Sequence, residues 1–247
     1  MARRLGSRMF DAVTKTWNPV ITFPCQHQCV YCWVPRVVAR FWSSPAMRYY
    51  RESRGMPLLI EERLYQEFSH RDLVFVCDTS DLMGSWVPRE MILAVLRAIA
   101  RKRGTFLILT KNPARFLAFV EEIPRTKVLC GATIETDRDD IYVKHSVSRA
   151  PLPSARIAAM RMVRGRGLRT FVSVEPIIDF SSPRIFGEII AGIEPELVYI
   201  GYDNYGALRE HSIPEPGMEK TLELADVLRQ HGIEVRLKTI RRAWNEP

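Results

Sequence analysis

The sequence predicts an α/β protein with an incomplete, TIM-like parallel (β/α) barrel of about six to seven units, folded as a single domain over residues 1–247. Three observations predict this class. Short apolar runs rich in β-branched residues alternate with helical patterns, which is typical of a parallel sheet. The chain contains 47% hydrophobic residues, enough for one barrel-sized core. No repeat or long linker divides it, and the alternation ends before the eighth unit of a complete barrel.

The predicted strands and helices alternate along the chain. The strands are Val20–Phe23, Leu73–Cys77, Thr105–Leu109, Lys127–Ile134, Thr170–Val174, Leu197–Gly201 and Glu234–Leu237. The helices between them are Glu61–Ser69, Pro88–Arg103, Pro113–Glu122, Ser154–Arg164, Pro183–Ile193 and Glu219–His231. Pro88 and Pro113 occupy first-turn positions, where a missing N–H costs little. An open doubly wound sheet is the alternative, but no glycine-rich dinucleotide fingerprint follows any of these strands.

Polar side chains follow the predicted strands at the points where the strands end. They are Asp78, Thr79, Ser80, Asp81, Thr110, Lys111, Asn112, Glu135, Thr136, Glu175, Tyr202, Asp203, Asn204 and Lys238. In either parallel architecture the carboxyl ends of the strands carry the chemistry. Strand alternation places Glu135 on the face of Thr133, and Glu175 on the face of Ser173. We therefore expect both carboxylates to point into the barrel mouth, above small residues that leave room for a ligand.

The chain carries a formal net charge of +8. Excess positive charge favours anionic partners such as nucleic acid or phosphorylated metabolites, although an arginine-rich genome or a hot habitat would give the same composition. No apolar run approaches the ~20 residues that span a bilayer. Met1–Phe10 is basic and lacks the apolar stretch of a secretion signal. We expect a cytoplasmic protein with no membrane partner.

Three of the five cysteines, Cys25, Cys29 and Cys32, form a short loop after the first predicted strand. Clustered cysteines in an odd total favour metal or cluster chemistry over a disulfide framework. Three thiolates at C-x3-C-x2-C spacing can hold three irons of a cubane and leave the fourth iron open. A zinc site that adds His27 and a redox dithiol of Cys29 and Cys32 are the alternatives. Zinc ligands are usually spaced more widely, and no thioredoxin-like context is present.

This loop, with an aromatic residue just before its last cysteine, resembles the signature of the radical S-adenosylmethionine (SAM) superfamily. The superfamily resemblance covers nearly the whole chain in strand order. Four further stretches resemble a small, phage-associated radical SAM family of unknown substrate; they are Trp17–Val20, Ser80–Gly84, Leu109–Pro113 and Ser173–Pro176.

The superfamily resemblance implies two cofactors, a single [4Fe–4S] cluster held by Cys25, Cys29 and Cys32, and SAM bound to the open iron. It implies reductive cleavage of SAM to a 5′-deoxyadenosyl radical that abstracts hydrogen from a substrate. The cofactors supply the chemistry, while the protein positions them and excludes water. An external electron donor such as a flavodoxin or a ferredoxin is also implied. Cys77 and Cys130 are far apart in sequence, so no second cluster is expected.

The same resemblance implies contacts to SAM from Tyr31, Asp78, Thr79, Ser80, Lys111, Glu135 and Glu175. Tyr31 matches an aromatic position whose backbone lies near the adenine, and Glu135 matches a polar position that accepts the ribose hydroxyls. The Gly-Gly-Glu motif expected after the second strand is absent, so one of Asp78, Thr79 and Ser80 is expected to bind the amino group instead. The glycine-rich motif of the fifth strand is absent too, with Glu175 in its place.

Two groups of residues are candidates for binding the substrate. Between Trp33 and Arg51, basic and aromatic residues interleave as in single-stranded nucleic-acid platforms, and the candidates there are Arg40, Trp42, Arg48 and Tyr49. The alternative for this segment is an amphipathic helix with a packed aromatic face. The strand-end candidates are Asp81, Asp203, Asn204, Arg236 and Lys238. Three functions stay open: modification of a nucleic acid, action on a small anionic metabolite or peptide, and a non-catalytic cluster- or zinc-bearing nucleic-acid-binding module.

Overall fold

The computed structural model describes residues 12–246, so the basic segment Met1–Phe10 lies outside the described residues. The strands are β1 (Lys15–Trp17), β2 (Val20–Ile21), β3 (Leu58–Leu59), β4 (Leu73–Val76), β5 (Thr105–Thr110), β6 (Val128–Thr133), β7 (Arg169–Val174), β8 (Leu197–Ile200) and β9 (Glu234–Leu237). The helices are α1 (Val34–Arg40), α2 (Arg48–Ser53), α3 (Arg89–Arg101), α4 (Asp139–Lys144), α5 (Pro153–Gly165), α6 (Pro183–Ala191), α7 (Ala207–Glu210) and α8 (Met218–Gln230). Short 3-10 turns cover Pro45–Met47, Glu61–Tyr65 and Pro113–Phe119.

Seven parallel strands form one curved sheet in the order β1-β4-β5-β6-β7-β8-β9, with β1 and β9 at its edges. The sheet curls into a half-barrel, which confirms the incomplete parallel barrel predicted from the sequence. The register brings Ser173, Tyr199 and Arg236 side by side on β7, β8 and β9. Because β-strand side chains alternate, the residues two positions further along these strands share the same inner face at the carboxyl ends.

The first barrel strand is not the predicted Val20–Phe23 but β1, which precedes it. Val20 and Ile21 instead form a small antiparallel ribbon with β3. Pro19 separates the two strands, and because proline has no N–H it cannot continue a ladder of hydrogen bonds. The cysteine loop begins directly after this ribbon, so it follows β2 rather than a barrel strand.

Two predicted helices are short 3-10 turns, and the buried side chains explain one of them. In Pro113–Phe119 the buried residues are Pro113, Phe116 and Phe119, at a spacing of three. This spacing aligns them on one face of a helix with 3.0 residues per turn. The predicted helix Glu61–Ser69 also shrinks to the turn Glu61–Tyr65. Within residues 12–246, none of the helices has the length and apolar character needed to cross a bilayer.

The inner face of the half-barrel is packed by Phe75, Leu107, Leu129, Phe171, Leu197 and Tyr199. Gly131 belongs to the same layer, and only glycine fits there because an added Cβ would stand 2.1 Å from Cε1 of Phe171. Cys130 points to the opposite face of the same strand and is buried in the core between sheet and helices, as its strand phase predicts. The inner layer closes the barrel from below and forms the floor of the cavity at the carboxyl ends of the strands.

Candidate active site

A cavity of about 630 Å³ occupies the mouth of the half-barrel. Its polar lining comes from the cysteine loop and from the ends of the strands, and it includes Cys25, His27, Cys29, Tyr31, Cys32, Asp78, Thr79, Ser80, Asp81, Lys111, Thr133, Ser173, Glu175, Asp203, Asn204 and Lys238. Its volume is within the range of small-molecule and cofactor sites. Thr133 and Ser173 lie in the lining at the positions that strand alternation predicts.

All three cysteines of the loop are half-buried, free of disulfides and exposed to this one cavity. Cys29 Sγ lies 3.2 Å from Ser148 Oγ, which ties the loop to the segment before α5. Soft thiolate ligands are those that iron–sulfur clusters and zinc prefer. In residues 12–246, no three or more His, Cys, Asp or Glu side chains converge on a single-ion site. A cubane makes no such demand, because each thiolate binds a different iron. The donor set therefore fits a cluster with three protein ligands.

His27 and Asp81 join the cysteine loop to the end of β4. His27 Nε2 lies 2.9 Å from Asp81 Oδ2, and both side chains are buried. The same carboxylate accepts the backbone N–H of Lys111 on Oδ2 and that of Met83 on Oδ1. Burial opposes ionisation of Asp81, but His27 and the hydrogen bonds hold the pKa of this carboxyl below its usual range. The side chain predicted to bind substrate thus has protein partners on both oxygens, and no sequence pattern links His27 to Asp81.

A buried charge cluster lies beneath the cavity wall next to the cysteine loop. Glu135 Oε1 accepts a hydrogen bond from Lys111 Nζ at 2.8 Å, and Oε2 accepts one from Arg156 Nη1 at 2.7 Å. The Tyr31 hydroxyl donates to Glu135 and accepts from Lys111. Burial would raise the pKa of Glu135, yet the charges of Arg156 and Lys111 hold it at about 2.

Glu135 is fully buried and does not line the cavity, so its carboxylate is not exposed in the barrel mouth as the sequence led us to expect. Its assignment to SAM stays a prediction. Tyr31 and Lys111 do line the cavity. The reason is Arg156 on α5, a fully buried cation that the sequence analysis missed and that needs a buried carboxylate. With two cations and one carboxylate, the cluster carries one surplus positive charge beside the cysteines.

The polar residues after β4 are tied to the β1–β2 segment. Asn18 Nδ2 donates to Asp78 Oδ1 at 2.5 Å, and Thr79 Oγ1 donates to Asn18 Oδ1 at 3.1 Å. Ser80 Oγ accepts the backbone N–H of Thr22 at 2.9 Å. Burial raises the pKa of Asp78. These three strand-end residues all line the cavity, so they are available for the contacts that the sequence analysis assigns to them.

At the opposite wall of the cavity, Lys238 Nζ contacts both oxygens of Glu175 at 2.8 and 2.6 Å. Asp203 accepts backbone N–H groups at the start of α7, and Asn204 accepts a hydrogen bond from Thr239. Arg236 does not line the cavity; it pairs with Glu234 at 2.6 Å. Arg236 and Lys238 therefore both bind the chain's own carboxylates.

The Trp33–Arg51 segment forms two short helices rather than one amphipathic helix. Trp33 lines the cavity, whereas Trp42 lies further along and is 46% exposed. Arg48 lies 4.3 Å from the centre of the Tyr49 ring, and the Tyr49 hydroxyl donates to Glu62. Arg40 is exposed at the end of α1. Arg51 lies 6.0 Å from the centre of the Trp42 ring and Arg40 lies 5.3 Å from that of Phe41, but Trp42 and Arg40 remain exposed to solvent, whereas Tyr49 is half-buried and has neighbours on both its ring and its hydroxyl.

The curved parallel sheet, with the cysteine loop at its carboxyl edge, is similar to the folds of two solved proteins. Spore photoproduct lyase with bound AdoMet and dinucleoside spore photoproduct has a similar structure, with a TM-score of 0.56, 15% identity, and coverage of 94% of this chain and 79% of that one. Streptococcus suis SuiB bound to precursor peptide SuiA gives a TM-score of 0.56 at 10% identity, over 92% of this chain and 48% of that chain. Both of those proteins are radical SAM enzymes. At these identities the likeness shows a shared fold, which is the fold that the superfamily resemblance implies.

The chain belongs to the family described as "Protein of unknown function (DUF5131)", whose model matches residues 9–193. No curated protein matches the chain. The narrower resemblance to a phage-associated family stays a prediction, as do the assignments of individual residues to cofactor and substrate.

Proposed function

We propose that this protein is a radical SAM enzyme, in which Cys25, Cys29 and Cys32 hold one [4Fe–4S] cluster and the barrel mouth binds SAM. The observation that carries the proposal is that three free cysteines at C-x3-C-x2-C spacing all line one cavity at the carboxyl ends of the strands. Bound there, the cluster and SAM would supply a 5′-deoxyadenosyl radical for hydrogen abstraction. A flavodoxin or a ferredoxin is the proposed electron donor.

The residues of the chain have distinct tasks in this proposal. Lys111, with the surplus positive charge of its cluster, attracts the carboxylate of SAM, because charge-assisted hydrogen bonds in a dry site are strong. Asp78, Thr79 or Ser80 receives the amino group from the β4 side of the cavity. Glu135 acts as a positioning residue through Lys111 and Tyr31 rather than by touching the ribose. The apolar floor excludes water from the reacting atoms.

The cluster is tested by metal analysis. Anaerobically reconstituted protein should contain about four irons and four sulfides per chain, because three thiolates suffice for a cubane with one open iron. Replacing Cys25, Cys29 or Cys32 by Ala should abolish the visible absorption and the sulfide. Cys130→Ala is the matched control, since this thiol lies in the core on the outer face of the sheet. Tightly bound zinc without sulfide would reject the cluster.

For the substrate, we propose a nucleic acid. The net charge of +8 and the exposed Trp42 with its basic neighbours favour a polyanion that offers bases for stacking. Spore photoproduct lyase is described with a dinucleoside photoproduct, and SuiB with a peptide, so the shared fold accommodates both classes. The competing small anionic metabolite loses its main support, because Arg236 and Lys238 are paired with the chain's own carboxylates.

Binding to single-stranded oligonucleotides tests this substrate class. Affinity should fall with rising salt, with a slope of roughly −0.7 in log affinity against log salt for each phosphate neutralised. Trp42→Ala should cost about 1–3 kcal/mol if a base stacks on the indole. Arg40→Ala should flatten the salt slope without changing base preference, because phosphate contacts position rather than specify. Met162 on α5, 58% exposed and outside the Trp33–Arg51 segment, provides the control Met162→Ala. Equal affinities of wild type and Trp42→Ala would exclude the platform.

A further inference from the structure

The Glu175–Lys238 ion pair spans an intervening strand. Glu175 follows β7 and Lys238 follows β9, so β8 lies between them and separates them by two strand spacings, roughly 9–10 Å. The two side chains meet above Gly201, the residue of β8 at the same level. A Cβ there would stand 3.1 Å from Lys238 Cβ and 3.4 Å from Glu175 Oε1. Because Gly201 has no side chain, the side chains of Glu175 and Lys238 have room to meet above it.

The pair forms part of the cavity wall. Its side chains are 15% and 8% exposed, and both line the cavity. A buried ion pair is weak support for stability, because the cost of desolvation offsets the attraction. β7 and β9 are already joined through the backbone of β8, so a structural tie between them adds little. These facts point to a ligand-binding role.

The hydrogen-bonding groups of the pair indicate which ligand it can bind. A lysine ammonium donates and a glutamate carboxylate accepts, and each carboxylate oxygen keeps a second lone pair beside its bond to Nζ. A nucleobase edge that carries an amino group next to a ring nitrogen complements the pair, because the amino group donates to Glu175 and the ring nitrogen accepts from Lys238. Cytosine has such an edge. Glutamate accepting from the amino group of cytosine is a recurring contact in nucleic-acid recognition.

The rim of the cavity supports a nucleotide in particular. Thr239, next to Lys238, donates to Asn204, and this contact brings Tyr205 to the rim on the same side. Tyr205 is 39% exposed, and the guanidinium of Arg36 lies 5.9 Å from the centre of its ring, where it donates to the Tyr205 carbonyl and pairs with Glu210 at 2.9 Å. The contacts of Arg36 hold the Tyr205 ring at the rim, and an exposed aromatic ring offers a stacking face for a base or a sugar.

We propose that Glu175 and Lys238 form the substrate-recognition point of the cavity and bind the amino-bearing edge of a nucleobase. This inference rests on the proposed function, since it takes the rest of the cavity as the SAM site. It places the base at the part of the cavity wall that the ends of β7 and β9 form.

The test measures binding to cluster-free protein, which needs no turnover. Cytidine monophosphate is compared with the pyrimidin-2-one nucleotide, which lacks the 4-amino group and adds no bulk. Wild type should bind cytidine monophosphate at least about tenfold more tightly, because the analogue leaves the Glu175 carboxylate without its donor. Cytosine is used rather than adenine so that the probe does not enter the SAM site. Equal affinities for the two nucleotides in wild type would overturn the proposal without any variant.

A double variant, Glu175→Met with Lys238→Met, removes the pair as a unit and leaves no buried charge unpaired. It should bind both nucleotides equally. The Lys220–Asp179 pair, with a 2.8 Å contact outside the cavity, provides the matched control when it is replaced in the same way. A preference for cytidine monophosphate that survives in the Glu175/Lys238 variant would also overturn the proposal.

Two further measurements distinguish a nucleic acid from a free nucleotide, and the role of Glu175 and Lys238 from the proposed radical SAM function. Tighter binding of a short oligodeoxycytidylate than of the mononucleotide would identify a nucleic acid, and equal binding would identify a free nucleotide; either supports base recognition at this pair. Iron, sulfide and SAM binding are measured on the same preparation after reconstitution. Their absence would refute the radical SAM function, whereas a missing nucleotide preference with cluster and SAM present would refute only the role of Glu175 and Lys238.

Discussion

Glu135→Gln is expected to lower the free energy of unfolding by about 3–5 kcal/mol, because it leaves two buried cations without their counter-charge. Lys111 and Arg156 both contact this carboxylate, and the side chains of Arg156 and Glu135 are fully buried. Denaturant unfolding measures the loss. Glu188→Gln is the control, since its exposed pair with Arg184 within α6 is worth at most about 0.5 kcal/mol. A loss no larger than that of the control would show that the cluster is not stabilising.

The pH dependence gives this variant a second signature. The pKa of Glu135 is about 2, against an ordinary value of 4.5, because the charges of Arg156 and Lys111 outweigh its burial. A lowered pKa contributes stability that is fully present above pH 4.5 and is lost as the pH falls toward 2. The difference in unfolding free energy between wild type and Glu135→Gln should therefore narrow across this interval. A difference that stays constant would contradict the assignment.

Lys111→Met should reduce SAM affinity about tenfold or more, as expected for the loss of a hydrogen bond to a charged group. Its Nζ lies between the buried carboxylate of Glu135 and the cavity. The variant keeps Glu135 paired with Arg156, so we expect it to fold and to retain the cysteine loop. Equilibrium binding of SAM to reconstituted protein measures the effect. Lys127→Met, which removes bonds to the carbonyls of Ala100 and Lys102, is the control. Unchanged SAM affinity in Lys111→Met would remove this residue from the site.

The sequence predicts the barrel well because its signal is local. Apolar runs rich in β-branched residues mark β4 to β9. The polar residues just beyond them line one cavity, apart from Asn112, Glu135 and Thr136. The first strand is misplaced because β1 is only three residues long, and the stronger apolar run at Val20 belongs to the ribbon. Periodicity alone does not distinguish a barrel strand from an antiparallel one.

The sequence predicts only part of the site. It identifies the residues at the end of each strand separately, but not the contacts that join them to other elements. The spacing of Cys25, Cys29 and Cys32 predicts that they act together, and all three line the cavity, while their role as cluster ligands stays a prediction. Partners between distant elements carry no such pattern: Arg156 reaches Glu135 from a helix, and the bond between His27 and Asp81 joins residues 54 apart. Burial of a carboxylate depends on such cations, so strand alternation gives the direction of Glu135 but not its exposure.

The central claim is tested most directly by the fate of SAM. Reconstituted, reduced wild-type protein should convert SAM to 5′-deoxyadenosine. Cys29→Ala should form none, because all three cysteines are needed to hold a cubane that has one open iron. Product is quantified by chromatography, with Cys130→Ala as the control that should keep the reaction. A wild-type preparation that carries four irons and four sulfides but neither binds SAM nor forms 5′-deoxyadenosine would contradict the account and leave a non-catalytic cluster protein.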